Sequence, residues 1–117
     1  MLVLAVKLLC QSDIIRNKYF SRFKHILVDE FQDTNICQYK MVKAIYSNNK
    51  DEDDIPQEKS LCVVGDVDQS IYSWRGADYR IILNLKSEFK KTHLVKLEQN
   101  YRSAGTILDA ANSVICN

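Results

Sequence analysis

Ile26-Leu27-Val28-Asp29-Glu30-Phe31-Gln32-Asp33-Thr34 runs three apolar residues straight into adjacent carboxylates. A buried strand that ends at a charged edge has this order. It suits the metal-and-water side of a nucleoside triphosphatase, where one carboxylate holds Mg²⁺ and its neighbour orients the attacking water. Read alone, the same cluster fits a solvated strand end.

Two further segments lift it above that reading. One is Val63-Val64-Gly65-Asp66-Val67-Asp68-Gln69-Ser70-Ile71-Tyr72-Ser73-Trp74-Arg75-Gly76-Ala77-Asp78; the other is Leu97-Glu98-Gln99-Asn100-Tyr101-Arg102-Ser103. The pattern predicts strands over 26–28, 61–64 and 92–97. Helices are predicted near the N-terminus, over 13–20 with Asp13 as cap, over 36–46 with an Asn35/Gln38 capping box, over 78–89 with Asp78 as cap, and after Ser103. In the last helix, Ile107, Leu108, Ala111 and Val114 or Ile115 form the expected buried stripe. Strand alternating with helix argues for a parallel α/β sheet, whose ligands sit at the carboxyl ends of the strands. Asp29-Glu30, Asp66 to Gln69 and Glu98 to Arg102 each follow a predicted strand, so the three polar clusters are expected on one edge.

A chain of 117 residues is one domain at most, and 46% apolar with 26% charged content describes a globular segment. The net charge of +1 conceals an uneven distribution. Residues 47–60 carry −3 and hold the lone proline, Pro56, so they read as an exposed acidic loop inserted between helix and strand. The remainder, at +4, is mildly basic, which suits nucleotide and nucleic-acid partners without singling them out. Cys10, Cys37, Cys62 and Cys116 include no C-x-x-C pair and have no histidine at ligand spacing. Buried free thiols in a reducing, intracellular compartment are expected, not a zinc site. The Leu2–Leu9 run is interrupted by Lys7 and is far shorter than the ~20 residues a membrane span needs.

Together, in this order, the three segments resemble motifs II, III and IV of the UvrD/Rep/PcrA-type superfamily 1 DNA helicases. The resemblance runs from about Leu2 to Asn117. It implies a partial RecA-like (P-loop NTPase) parallel sheet flanked by helices, acting with ATP and Mg²⁺ on single-stranded DNA and duplex junctions in repair or replication. By resemblance, Asp29 is the Mg²⁺-associated aspartate and Glu30 the residue that positions or deprotonates water. Gln69 resembles the glutamine that senses the γ-phosphate, Tyr101 the adenine-stacking tyrosine and Arg102 the γ-phosphate arginine. Trp74, Tyr72 and Arg75 form the DNA-facing part. A base can stack on the Trp74 face, Arg75 can pair with phosphate or with a neighbouring acid, and Tyr72 either joins the stack or supports Trp74 from behind. The competing reading places Trp74 in the core. Asp33 is read either as a helix cap or as a coupling contact, and Glu98 and Asn100 as residues that shape the last loop.

The chain holds three glycines, Gly65, Gly76 and Gly105, and none lies in G-x-x-x-x-G-K-S/T. The phosphate loop and its lysine are therefore outside these residues. The resemblance makes 1–117 the C-terminal half of a UvrD-like ATP-binding domain, inactive in ATP hydrolysis without the missing helicase domains in cis. It also places the phosphate-loop strand between those ending at Val64 and Leu97, so the isolated chain is expected to expose strand edges that invite aggregation. Two other readings stay open. One is a non-catalytic remnant that binds single-stranded DNA or a helicase partner. The other is a metal-dependent nuclease built on Asp29, Glu30, Asp66 and Asp68.

Overall fold

Three helices and two strands alternate through the first half of the chain in the computed structural model. It describes residues 1–48 and 52–116, with the side chain of Glu52 outside that description. Helix α1 (Leu2–Gln11) turns at Ser12 into α2 (Asp13–Arg22). The cap of α2 is Ser12, whose Oγ accepts from the Ile15 amide, and not Asp13 as the sequence suggested. Asp13 instead occupies the first turn and pairs with Arg16. Arg16 is buried and donates to the Leu9 carbonyl (2.9 Å), the Cys10 carbonyl (3.4 Å) and Asn48 Oδ1 (2.9 Å). One guanidinium thus satisfies the open end of α1 and ties it to Asn48, more than thirty residues on.

Strand β1 (His25–Val28) pairs in parallel with β2 (Ser60–Val63), His25 opposite Ser60 and Val28 opposite Val63. Between them lies α3 (Ile36–Ser47), the crossover that a parallel pair requires. The expected capping box is formed: Asn35 Oδ1 accepts from the Cys37 and Gln38 amides, and Gln38 Oε1 accepts from the Asn35 amide. Asp33 does not cap this helix. It lies in a 3-10 turn over Phe31–Asp33, and its Oδ1 is buried with no hydrogen-bond partner.

Phe31, fully buried, packs with Tyr39 and Leu85 at the centre of the core, with Val28, Val63, Ile81, Ile82 and Phe89 around them. Helix α4 (Arg80–Glu88) supplies Leu85 and packs against the Phe31–Asp33 turn, on the same face of the sheet as Tyr39 of α3. Its cap position falls on Tyr79; Asp78 still contributes, accepting from the Arg80 amide at 3.1 Å. Helices α3 and α4 are clasped by Glu88, which accepts from both the Tyr39 hydroxyl and the Lys43 ammonium. Burial works against the Glu88 carboxylate, but Lys43 and Tyr39 outweigh it and hold its pKa below the ordinary value. A depressed folded-state pKa adds stability above the unfolded value, lost as pH falls through the folded one. Glu88→Gln should therefore flatten the acid side of the stability curve in urea titrations. An acid slope equal to that of the parent chain would count against the clasp.

The segment 92–97 does not form the expected third strand. A strand needs a neighbour to satisfy its backbone, and among the described residues the sheet consists of β1 and β2 alone. Leu94, Val95 and Leu97 stay exposed. The final helix, α5 (Gly105–Ile115), departs from expectation in two ways. Its cap position is Ala104 with no side-chain bond, not Ser103, and it has no buried residue, so the expected stripe lies open at Ile107, Val114 and Ile115. The thiols also differ from expectation: Cys10, Cys62 and Cys116 are exposed and Cys37 is half-buried.

Part of the acidic stretch 47–60 is packed and not a free loop. Lys59 is buried, its ammonium donating to the Phe20 carbonyl (2.7 Å) and the Phe23 carbonyl at the end of α2. Burial pushes its pKa down. Asp53 and Asp54 are exposed, and Asp53 pairs with Lys91 at 2.6 Å. No helix among the described residues is long and apolar enough to cross a membrane.

Candidate active site

The carboxyl ends of β1 and β2 meet at a network of short polar contacts. The Phe31 amide donates to the Val64 carbonyl at 2.9 Å, holding the two strand tips together. Glu30 sits just before this contact in the left-handed region, at φ 49 and ψ 44. That backbone costs a non-glycine residue about 1–2 kcal/mol and concentrates at functional positions. Asp29 Oδ1 accepts from the Glu30 amide at 2.9 Å. Both carboxylates are exposed.

Gln32 is 1% exposed and lies between the two tips. Its Nε2 donates to Glu30 Oε2 at 2.7 Å, and its Oε1 accepts from the Asp66 amide at 3.1 Å. Its own carbonyl accepts from the Ser70 hydroxyl at 3.3 Å. Asp66 in turn caps the turn Val67–Gln69, accepting from the Asp68 amide (3.1 Å) and from Gln69 Nε2 (2.7 Å). Glu30, Gln32, Asp66 and Gln69 therefore form one connected chain of hydrogen bonds.

Gln32 can reach this position because residue 65 is glycine. A Cβ on Gly65 would stand 2.6 Å from Gln32 Oε1 and 3.1 Å from the Gln32 amide nitrogen. Gly65→Ala is expected to lower stability by about 1–3 kcal/mol through this overlap. The urea midpoint reads the effect, and an unmoved midpoint would contradict it.

The excursion from Asp66 to Ala77 leaves the tip of β2 and returns beside it. Its near end is held by Gln32. Its far end is held by the Asp78 amide, which donates to the Thr34 carbonyl (3.1 Å), and by an antiparallel bridge between Asn35 and Ala77. At the apex, Tyr72, Trp74 and Arg75 cluster on a short turn, Ser73–Arg75, closed by Gly76 at φ 84. Trp74 is 77% exposed, so the core reading fails. The Tyr72 and Trp74 rings lie 6.2 Å apart, and the Arg75 guanidinium sits 5.6 Å from one and 5.3 Å from the other. Tyr72 therefore flanks Trp74, and Arg75 is held over both by cation–π attraction.

The third cluster makes no hydrogen bond to this network among the described residues. Tyr101 is 92% exposed, and the Arg102 guanidinium has no hydrogen-bond partner among the described residues. Asn100 shapes the loop, its Oδ1 accepting from the Arg102 amide (2.8 Å) and the Ser103 amide (2.9 Å). Two of the three predicted clusters are thus joined by hydrogen bonds, and the 97–103 segment is not linked to them by any among the described residues.

Asp29, Glu30, Asp33, Asp66 and Asp68 crowd this edge, and none of the five is ion-paired among the described residues. No three acidic, histidine or cysteine side chains among the described residues are placed to hold a metal by themselves. Asp29, Glu30, Asp66 and Asp68 thus form no ready-made protein cage for a metal among the described residues. That is compatible with Mg²⁺, which takes one or two carboxylates and completes its shell with water and substrate phosphates. Asp29 offers such a carboxylate, a hard oxygen donor at the exposed tip.

Residues 1–90 match the family model of the UvrD/REP helicase N-terminal domain. The chain belongs to the UvrD/REP helicase family. It is 50% identical over 99 residues to an ATP-dependent DNA helicase PcrA of Staphylococcus aureus, covering 85% of this chain and 12% of that one. It is 43% identical to the ATP-dependent DNA helicase Rep of Salmonella typhimurium over all 117 residues, 16% of that protein. It is 50% identical over 101 residues to the ATP-dependent DNA helicase UvrD1 of Mycobacterium bovis, 86% of this chain and 13% of that one. The chain thus spans between about one-eighth and one-sixth of these curated relatives. The helicase-family match covers both strand tips and the Tyr72–Arg75 apex; the 97–103 loop lies beyond residue 90.

Glu30, Asp29, Gln69 and Trp74 are legible as site candidates in the sequence, and Gln32 is not. A glutamine inside an acidic run reads as polar surface. The signal that marks it as buried is the glycine at position 65 on the neighbouring strand, and that pairing becomes visible once the strand tips are aligned.

Proposed function

We propose that this chain is part of an ATP-dependent DNA helicase, the C-terminal half of its first RecA-like motor domain, coupling ATP hydrolysis to movement along single-stranded DNA and unwinding at duplex junctions. Residues 47–60 are an acidic insert within that half-domain. The observation that carries the reading is the hydrogen-bonded chain from Glu30 through Gln32 to Asp66 and Gln69, anchored to the loop that exposes Trp74. A hydrolytic edge and a flat aromatic platform share one covalent loop, which a DNA-dependent motor requires.

In this reading, Asp29 binds Mg²⁺, which when bound supplies charge opposite the transferring phosphate. Glu30 orients the attacking water and takes up its proton. The Gln69 amide leaves Asp66 to donate to a γ-phosphate oxygen, a contact that lapses when the phosphate departs. Tyr101 stacks on adenine. Arg102 reaches the γ-phosphate once the 97–103 loop is drawn in by the rest of the motor, including the phosphate-loop strand. The chain by itself hydrolyses ATP negligibly, because the phosphate-gripping backbone and lysine lie elsewhere in the intact protein. The setting is a soluble, intracellular, reducing one, in repair or replication.

The test is Glu30→Gln in the intact protein. Retained ATP binding with lost hydrolysis supports the assignment; unchanged turnover sinks it.

The alternative, a non-catalytic module that binds single-stranded DNA or a helicase partner, draws on one observation. Trp74 and Arg75 are exposed at the apex, while no hydrogen bond among the described residues joins Arg102 to the Glu30 network. Oligonucleotide quenching of Trp74 in a protein without ATP turnover would favour it.

A further inference from the structure

Gln32 has the burial of a core residue and the contacts of a site residue. Its amide touches both the acid at the tip of β1 and the loop leaving β2. An amide suits this place because it must donate on one side and accept on the other at once. A carboxylate would accept from Asp66 but repel Glu30. An apolar side chain would do neither and would leave the part-buried Asp66 amide without this partner. The Gln32 carbonyl adds a third tie, to the Ser70 hydroxyl, two residues ahead of Tyr72. Glu30 itself is held in a left-handed backbone, so its carboxylate direction depends on an external partner, and that partner is Gln32 Nε2. The absence of a Cβ at Gly65 keeps this bridge close to the strand tips.

We infer that Gln32 is a positioning residue: it aims the Glu30 carboxylate and locks that aim to the loop that carries Gln69 and Trp74. The inference rests on the motor reading and assigns a role to a residue that reading leaves unexplained. In catalytic terms, Gln32 acts through Glu30 and touches neither nucleotide nor DNA. Misaiming a base by an ångström costs on the order of 10²-fold in rate while leaving substrate binding intact.

The experiment compares Gln32→Met and Gln32→Glu in the intact protein, with kcat and KM for ATP read at saturating single-stranded DNA. Both variants should lower kcat by about tenfold or more, with KM within about twofold of wild type. Gln32→Glu keeps an acceptor for the Asp66 amide, so it rescues a residue that merely anchors the loop. Recovery of wild-type kcat in Gln32→Glu therefore overturns the positioning role. The effect of Gln32→Met should also shrink to less than about twofold in a Glu30→Gln background, because the two residues act as a unit. An undiminished effect in that background overturns the role as well. A wild-type intact protein that turns over no ATP, or a Glu30→Gln variant with full turnover, defeats the motor reading itself and takes this inference with it.

Discussion

Glu30→Gln should lower ATP turnover in the intact protein by about 10²–10⁴-fold, the range expected when a positioned general base is removed. The fold should tolerate the change. Glu30 is exposed, and a glutamine oxygen at this position can still accept from Gln32 Nε2 as Glu30 Oε2 does. The strained backbone is unchanged, because both residues carry a Cβ. Unfolding free energy should stay within about 0.5 kcal/mol of the parent. Nucleotide affinity should hold or rise slightly as one negative charge leaves an edge crowded with acids. A fluorescent ATP analogue reads binding, and steady-state phosphate release reads turnover. Loss of binding together with turnover would mean that Glu30 holds the nucleotide or the fold, not the water.

Trp74→Ala should weaken single-stranded DNA binding by about 5–150-fold, the equivalent of ~1–3 kcal/mol of base stacking. The Trp74 ring is 77% exposed and makes its contacts with Tyr72 and Arg75 alone among the aromatic and cation–π pairs described. Its removal therefore takes little from the core. Trp74→Phe keeps a smaller π-face and should recover part of the affinity. The salt dependence of binding should be the same in both variants, since phosphate contacts, not the indole, release counterions. Fluorescence anisotropy of a labelled oligothymidine measures all of this. Equal affinity for the wild-type and alanine proteins would remove Trp74 from the DNA path.

How legible was this structure in its residues? Local signals were the most readable. Asn35 and Gln38 announce a capping box because both bonds close within four residues. The apolar triplet before Asp29 announces a strand, but not a buried one: Ile26 and Val28 are half-buried and Leu27 is 72% exposed, because one face of the two-stranded sheet has no cover. Trp74 could be placed outside the core from its neighbours Ser73, Arg75 and Gly76. Features that depend on a distant partner were less readable. Thr92–Leu97 has strand composition, but hydrogen bonding needs an adjacent strand, and the sheet here offers β1 and β2. The α5 stripe likewise has helical spacing without a surface to cover it. Gln32 and Gly65 lie 33 positions apart, and their fit depends on parallel register between β1 and β2. The candidate site was readable as a set of chemical groups. How those groups are wired together, and that Arg102 stands outside the wiring, came from tertiary geometry.

A structure of the intact protein holding a non-hydrolysable ATP analogue, Mg²⁺ and single-stranded DNA is the most direct measurement of whether the two strand tips serve one triphosphate. The prediction is that Glu30, Gln69 and Arg102 all face the same γ-phosphate, with Gln32 bridging Glu30 to Asp66 and a base stacked on Trp74. Nucleotide bound away from the ends of β1 and β2, or an Arg102 turned to a different face, would contradict it.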